Sequence, residues 1–313
     1  TDSKAWVPQR RPQRRGDSGL PGPQRWVRAT PLVAHTVRVK MNRIGILLSA
    51  VALSLATGTG AFVQSNAPFV DGRYENAENP HQRDIVGAMK SMLLTRQIDK
   101  RPDAPIPLRQ LSASELEAEV GPVLYRLGHS TILMKLDGHF VLTDPVFSKR
   151  ASPVQWAGPK RFHPAPLSIE DLPQLRAVII SHDHYDHLDK GSIRSLRDKV
   201  DTFVAPLGVG EHLREWGVEP ERIVELDWWQ DVELDSLTLT ATPAQHFSGR
   251  GLRDRNRTLW ASWVIQSSEH SLFFSGDTGY FDGFREIGDR FGPFDVTMIE
   301  TGAYNRAWRK VHM

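Results

Sequence analysis

Seven consecutive residues concentrate much of the chemistry open to this chain. Ser181-His182-Asp183-His184-Tyr185-Asp186-His187 sets three histidines and two aspartates side by side. A run this polar cannot form a buried strand, because each side chain would need its own partner away from water. It follows Ala177-Val178-Ile179-Ile180, a continuous apolar stretch of the kind buried on both faces of a sheet. A turn after such a strand lets alternate side chains converge, His182 and His184 on one ion, Asp186 and His187 on a neighbour. Neutral imidazole and carboxylate are natural ligands for zinc and similar metals. A solvated polar loop is the competing reading, but the order His-x-His-x-Asp-His behind an apolar strand favours metal. The chain has no cysteine. That excludes thiolate zinc sites, cysteine nucleophiles, disulfides and a lipoprotein anchor, so nitrogen and oxygen must hold any ion.

The surrounding pattern supplies elements to position the cluster. Period-two alternation predicts strands over 123–127, 131–136 and 139–143, with Gly128-His129-Ser130 as a turn and Asp137-Gly138 as a hairpin signal. Helices are predicted over 193–197 and 210–216, and further strands over 237–241, 259–265 and 271–275. Strands mixed with helices define an α/β or α+β class with large sheets, and there is no internal repeat. Ahead of this lies an extension, 62–120. Ile85, Met89, Met92 and Leu93 give 81–100 helical spacing, and 114–119 reads as a short acidic helix stopped by Gly121-Pro122.

A length of 313 residues fits about two domains, or one large α/β unit with extensions. The net charge of +2 is unevenly spread: residues 1–40 carry nine Lys/Arg against two Asp/Glu, leaving −5 for the rest. That leader has no hydrophobic period and reads as a disordered basic segment, not native to the mature protein. Nothing else in the chain supports nucleic-acid contact. Met41-Asn42-Arg43, the apolar run 44–56 and the small residues that follow have the order of a secretory signal peptide, with an uncleaved anchor as the alternative for 41–61. The expected location is therefore exported, periplasmic or membrane-associated, and cytoplasmic if the leader masks the signal.

At the histidine cluster the chain resembles the metallo-β-lactamase superfamily. The resemblance implies an αββα sandwich over 121–313 with a dinuclear metal site at one edge. It implies that His246, in Pro243-Ala244-Gln245-His246-Phe247, completes the first site, and that Asp277, in Gly276-Asp277-Thr278-Gly279-Tyr280, bridges the two. Together with Gly128-His129-Ser130-Thr131, Thr143-Asp144-Pro145-Val146-Phe147, Asn256-Arg257-Thr258-Leu259-Trp260 and Gly302-Ala303-Tyr304, these motifs resemble the branch of N-acylphosphatidylethanolamine-hydrolysing phospholipase D and its bacterial relatives. That branch takes another histidine of the second site from beyond Gly302-Ala303-Tyr304. His312 matches a segment leading into a helix, not that ligand, so the expectation is a C-terminally truncated sandwich with an incomplete second site.

The implied chemistry is hydrolysis by two Zn2+ or other divalent ions. Ions about 3.5–4 Å apart lower the pKa of a shared water toward ~7 for attack on phosphorus. The metal ligands expected are His182, His184, Asp186, His187, His246 and Asp277, with Asp186 and Asp277 as the catalytic carboxylates. Asp144 is expected to orient a ligand histidine, an ordinary Asp-Pro turn being the alternative. His129 is expected at the substrate or near the metals, and Arg250 and Arg257 suit a phosphate. Trp156, Trp228, Trp229 and Trp260 could line an acyl groove, or belong to the core. The leading function is a phosphodiesterase acting on N-acylphosphatidylethanolamine-like phospholipids, with peripheral membrane contact. A lactonase-type metallo-hydrolase and an inactive metal- or lipid-binding domain are the alternatives.

Overall fold

The computed structural model describes residues 66–78, 103–251, 253–302, 308 and 310–313. The basic leader, the segment 41–61 and the helix expected over 81–100 lie outside the described residues. β1 (Phe69–Val70) and β2 (Arg73–Tyr74) form a small hairpin, and α1 (Ala113–Ala118) follows it. α1 is set by a capping box: Glu115 N donates to Ser112 Oγ while Ser112 N donates to Glu115 Oε2, and Leu116 is the residue it buries.

Alternating apolar residues then build the first sheet. Its strands are β3 (Val123–Gly128), β4 (Thr131–Leu136), β5 (His139–Thr143), β6 (Leu175–Ile179), β7 (Val200–Pro206) and β8 (Ile223–Leu226), hydrogen-bonded in that order. β3 to β5 run antiparallel. The turn between β4 and β5 has Asp137 and Gly138 both at positive φ, as a two-residue hairpin requires. β5 to β8 are parallel, with the crossovers carrying α2 (Lys190–Leu196) and α3 (Val209–Glu215). The second sheet holds β9 (Asp231–Leu234), β10 (Leu237–Thr242), β11 (Ser262–Gln266), β12 (Ser271–Phe274) and β13 (Val296–Met298), in the order β13-β12-β11-β10-β9; α4 (Gly283–Phe291) precedes β13.

Side-chain parity sorts the apolar residues into three layers. Met134, Val141, Ala177, Ile179 and Val204 of the first sheet meet Leu239, Ala241, Trp263, Ile265 and Phe274 of the second in one buried core. The opposite parity of the first sheet, Leu133, Leu142, Val178 and Phe203, packs with Leu116, Ile193, Leu196 and Leu213 of the helices. Val264 and Phe273, on the far side of the second sheet, pack with Ile287 and Phe284 of α4. The result is an αββα sandwich. Among the described residues no helix is long and apolar enough to cross a membrane.

The strand expected over 259–265 starts only at Ser262. The preceding residues bond instead to the first sheet's strand ends: Leu259 N donates to Leu207 O and Ala261 N to Ser181 O, at 2.8 and 2.9 Å. The two sheets are thus stitched together at the edge where the ends of β5, β6, β10 and β12 meet. Trp263 adds a bond across the core, its Nε1 donating to Ile180 O at 3.0 Å, one residue before the metal-binding sequence. Removing that donor strands a buried carbonyl, so Trp263→Phe is expected to lower unfolding free energy by ~1–3 kcal/mol. Urea denaturation measures it, and an unchanged midpoint would contradict the role given to this bond.

Candidate metal centre

The loop after β6 is shaped by carboxylates beneath it. Asp144, at the end of β5, has no solvent exposure and sits at a φ of 36°, a conformation uncommon for a non-glycine residue. Its carboxylate accepts Ser181 N and Ser181 Oγ, each at 2.7 Å, and His187 Nδ1 at 2.7 Å. The chain then turns back on itself, His187 N and Leu188 N both donating to His184 O. Asp189 closes the loop by capping α2 through Gly191 N and Ser192 N and accepting Ser148 N. Asp183, also buried, accepts Gly249 N and Thr258 Oγ1, tying the loop to the segment after His246.

Two sets of ligand atoms converge above this frame. In the first, His184 Nδ1 lies 2.8 Å from His182 Nε2 and 3.3 Å from His246 Nε2. In the second, His187 Nε2 lies 3.3 Å from His129 Nε2 and 3.1 Å from Asp277 Oδ1. The other oxygen of Asp277 is 3.9 Å from His246 Nε2, so one carboxylate reaches both sets. Gly276 makes that approach possible: its φ is 55°, and a Cβ there would lie 2.6 Å from Ser181 Cβ. His246 Nδ1 bonds Val311 O at 2.8 Å, which leaves Nε2 as its inward atom.

Burial dominates the electrostatics. It holds the pKa of His182 well below the histidine value and that of His246 at about 3, with neighbouring histidines adding to both shifts, and it lowers His184 as well. Burial thus favours the neutral form of all three. His187 is the opposite case: burial disfavours its charge, but Asp277 and Asp144 raise its pKa well above the ordinary value. Burial works to raise Asp277, and the charge and hydrogen bond of His187 more than offset it, holding Asp277 far below the carboxylate range. Three neutral nitrogens facing each other, beside a carboxylate that stays ionised, match the donor chemistry of a borderline divalent ion. Each of three sets, His182/His184/His246, His129/His187/Asp277 and His246/Asp277/His312, has its ligand atoms within 4.8 Å of one another.

Several expected residues lie elsewhere than the sequence suggested. Arg250 does not face the site: one of its guanidinium nitrogens bonds Asp183 O and Leu188 O at 2.5 and 2.8 Å, and the group lies 4.1 Å from the Tyr185 ring. It clamps the backbone of the histidine loop, because those carbonyls are buried and have no strand partner. Arg257 is exposed, with no side-chain hydrogen bond among the described residues, and its backbone packs on Gly208. Asp186 turns toward His129, 3.4 Å away, and falls outside the three ligand sets. Trp228 and Trp260 are buried in the core; Trp156 is 82% exposed.

Two residues were missed, and one was set aside. His312, expected to lie outside the ligands, sits at the centre: its Nδ1 is 2.5 Å from Glu300 Oε1 and 3.8 Å from Asp277 Oδ2, and its ring joins one of the three ligand sets. Glu300 also accepts Thr278 N. Asn76 holds the backbone of His246 through both of its side-chain ends. No local pattern marks any of them, since each acts across a long separation in sequence.

An αββα sandwich with histidines and aspartates gathered at one sheet edge defines a metal-dependent hydrolase. Comparison with known proteins agrees: a family model described as "Beta-lactamase superfamily domain" matches residues 139–313. The chain is 50% identical over 300 residues to an uncharacterized protein of Mycobacterium tuberculosis, covering 87% of this chain and 80% of that one. It is 38% identical over 217 residues to N-acyl-phosphatidylethanolamine-hydrolyzing phospholipase D 1 of Caenorhabditis elegans, covering 66% and 61%. With the mitochondrial enzyme of the same name from Saccharomyces cerevisiae it shares 33% identity over 192 residues, 59% of this chain and 40% of that one. The chain belongs to the metallo-β-lactamase superfamily.

The neutral histidines predict a pH dependence for the metal-free protein. Their folded pKa values lie below the ordinary ~6.5, so between that value and the lowered ones the unfolded chain binds protons that the folded chain does not. Stability therefore falls as pH drops below ~6.5, by up to ~1.4 kcal/mol per pH unit for each histidine. His187 and His312, with raised pKa values, act with the opposite sign and only above that window. The urea midpoint of metal-stripped protein is expected to be lower at pH 5.5 than at pH 7, and His246→Gln to flatten the difference. Equal midpoints would contradict the assignment of neutral buried histidines.

Proposed function

We propose that this chain is a dinuclear zinc phosphodiesterase acting on N-acylphosphatidylethanolamine-like phospholipids. The observation that carries the reading is Asp277, one buried carboxylate set between two groups of imidazole nitrogens. His182, His184 and His246 would hold one ion, and His187 with His129 or Asp186 the other, Asp277 being shared. When bound, such ions supply Lewis-acid chemistry: activation of water and neutralisation of charge building on phosphoryl oxygens. The protein's own part is to hold each ligand in one tautomer. Asp144 accepts a hydrogen bond from His187 Nδ1 and Val311 O one from His246 Nδ1, so both rings turn Nε2 toward the centre. His312, with Nδ1 committed to Glu300, has Nε2 left to contact a substrate oxygen beside Asp277.

A phospholipid is favoured by the loop between β5 and β6. Within it, residues 145–169 contain Lys149, Arg150, Lys160 and Arg161 and no Asp or Glu, the loop's exposed acidic residues, Glu170 and Asp171, coming just before β6. Trp156 and Phe162 stand out from it at 82% and 61% exposure. Arg161 roots the loop beside the His129 turn by donating to Leu127 O and Val146 O. Aromatic side chains on a cationic loop suit the headgroup region of a bilayer. The names of the Caenorhabditis and Saccharomyces relatives support the same substrate class, and the signal-like order of residues 41–61 supports an exported protein at a membrane.

The test is turnover by the zinc-loaded protein of bis(4-nitrophenyl) phosphate, of N-acylphosphatidylethanolamine vesicles and of a simple lactone. Both phosphodiesters should be cleaved, with activity falling more than ~100-fold in His182→Ala, beyond what loss of an outer hydrogen-bond partner costs. Lactone turnover alone would move the protein to the lactonases. Vesicle binding without cleavage of any substrate would make it a lipid-binding domain.

A further inference from the structure

Asn76 follows β2, 170 positions before His246, and is 6% exposed. Its Nδ2 donates to His246 O at 2.9 Å, and its Oδ1 accepts His246 N at 3.0 Å. A single side-chain amide therefore pairs with the main chain of His246 as a neighbouring strand residue would. Oδ1 also accepts Trp260 Nε1 at 3.1 Å, a donor shared with Ala244 O. His246 lies beyond the end of β10, where among the described residues no strand satisfies its buried N–H and C=O. Asn76 is itself held in place. Tyr74 N donates to Asn256 O and Asn256 Nδ2 returns a bond to Tyr74 O, while Asn66 N and Ala67 N both donate to Asp227.

We propose that Asn76 is a positioning residue for the metal centre: it fixes the main chain of His246 so that Nε2 is held facing His184 and Asp277. The proposal rests on the reading of His246 as a metal ligand. With N–H, C=O and Nδ1 all bonded, Nε2 is the one polar atom of His246 left to face the centre, 3.3 Å from His184 Nδ1. The position requires one donor and one acceptor at amide spacing. Aspartate has the shape but sets a carboxylate oxygen against His246 O, and alanine leaves both main-chain groups unpaired. The hairpin ahead of the sandwich thereby becomes part of the site, because it carries the residue that aims one ligand.

The experiment compares wild type, Asn76→Asp and Asn76→Ala in the full chain. Cobalt(II) is titrated in, and both the visible absorption of the bound ion and competition with a chelating dye are read, with circular dichroism as the check on folding. Wild type should bind two equivalents. Both variants should keep the fold but bind one equivalent about 10–100-fold more weakly, the loss usual when the partner of a ligand is removed. The cobalt spectrum of that equivalent should change, which a loss of stability alone would not produce. Variants with wild-type affinity and spectrum would overturn the proposal, whatever their melting temperature. So would failure of both to fold, which would make Asn76 purely structural. A wild-type chain that binds no cobalt overturns the metal-centre reading, and the positioning role with it.

Discussion

Asp144 is a carboxylate with no access to water, and burial raises its affinity for a proton. Its two oxygens are met by three donors, two from Ser181 and one from His187. Those bonds offset the cost of burying the group and of its left-handed backbone. They also decide the geometry above. Ser181 is where the chain leaves β6, so anchoring it sets the direction in which His182 and His184 depart. His187 is anchored at Nδ1, so Nε2 must point toward Asp277. The same Ser181 receives Ala261 N at its carbonyl and leaves room for Gly276 only because that residue lacks a Cβ. One buried charge thus sets the histidine loop of the first sheet and the level at which the second sheet delivers its carboxylate.

The sandwich explains why the centre lies at a single edge. Parallel strands β5 and β6 end there, and β10 and β12 of the second sheet run toward the same rim, so the loops that follow all four converge without long excursions. Segments outside the two sheets complete the shell. Asn76 comes from before the sandwich, and Val311 and His312 from after β13; each bonds or faces His246 or Asp277. Ligands built on strand ends and braced by neighbouring segments can be held tightly enough for metal chemistry.

How much could be read from sequence depended on range. The histidine loop was legible because its residues are contiguous and follow an apolar strand. The pair Asp137-Gly138 was legible because a tight hairpin turn needs positive φ at both positions. His246 and Asp277 are ordinary in their local context, and only the family resemblance singled them out. β7 escaped because Asp201 and Thr202 interrupt its apolar run, and α4 because two glycines and four charged residues leave few apolar positions. Arg250 was misread for a different reason. Its type and place after His246 suit phosphate, but the carbonyls of Asp183 and Leu188 lie more than sixty residues away and take its donors. Asn76 could not be read at all, and His312 was set aside as leading into a helix, since both act through contacts that only folding creates.

The central claim is that two groups of ligands around Asp277 hold two ions. Metal content per chain in the purified protein, measured by inductively coupled plasma mass spectrometry beside a His182→Ala/His184→Ala control, tests it most directly. Two equivalents in the wild type, falling to one in the control, is the predicted result. A folded wild-type chain that retains no metal at all would contradict it.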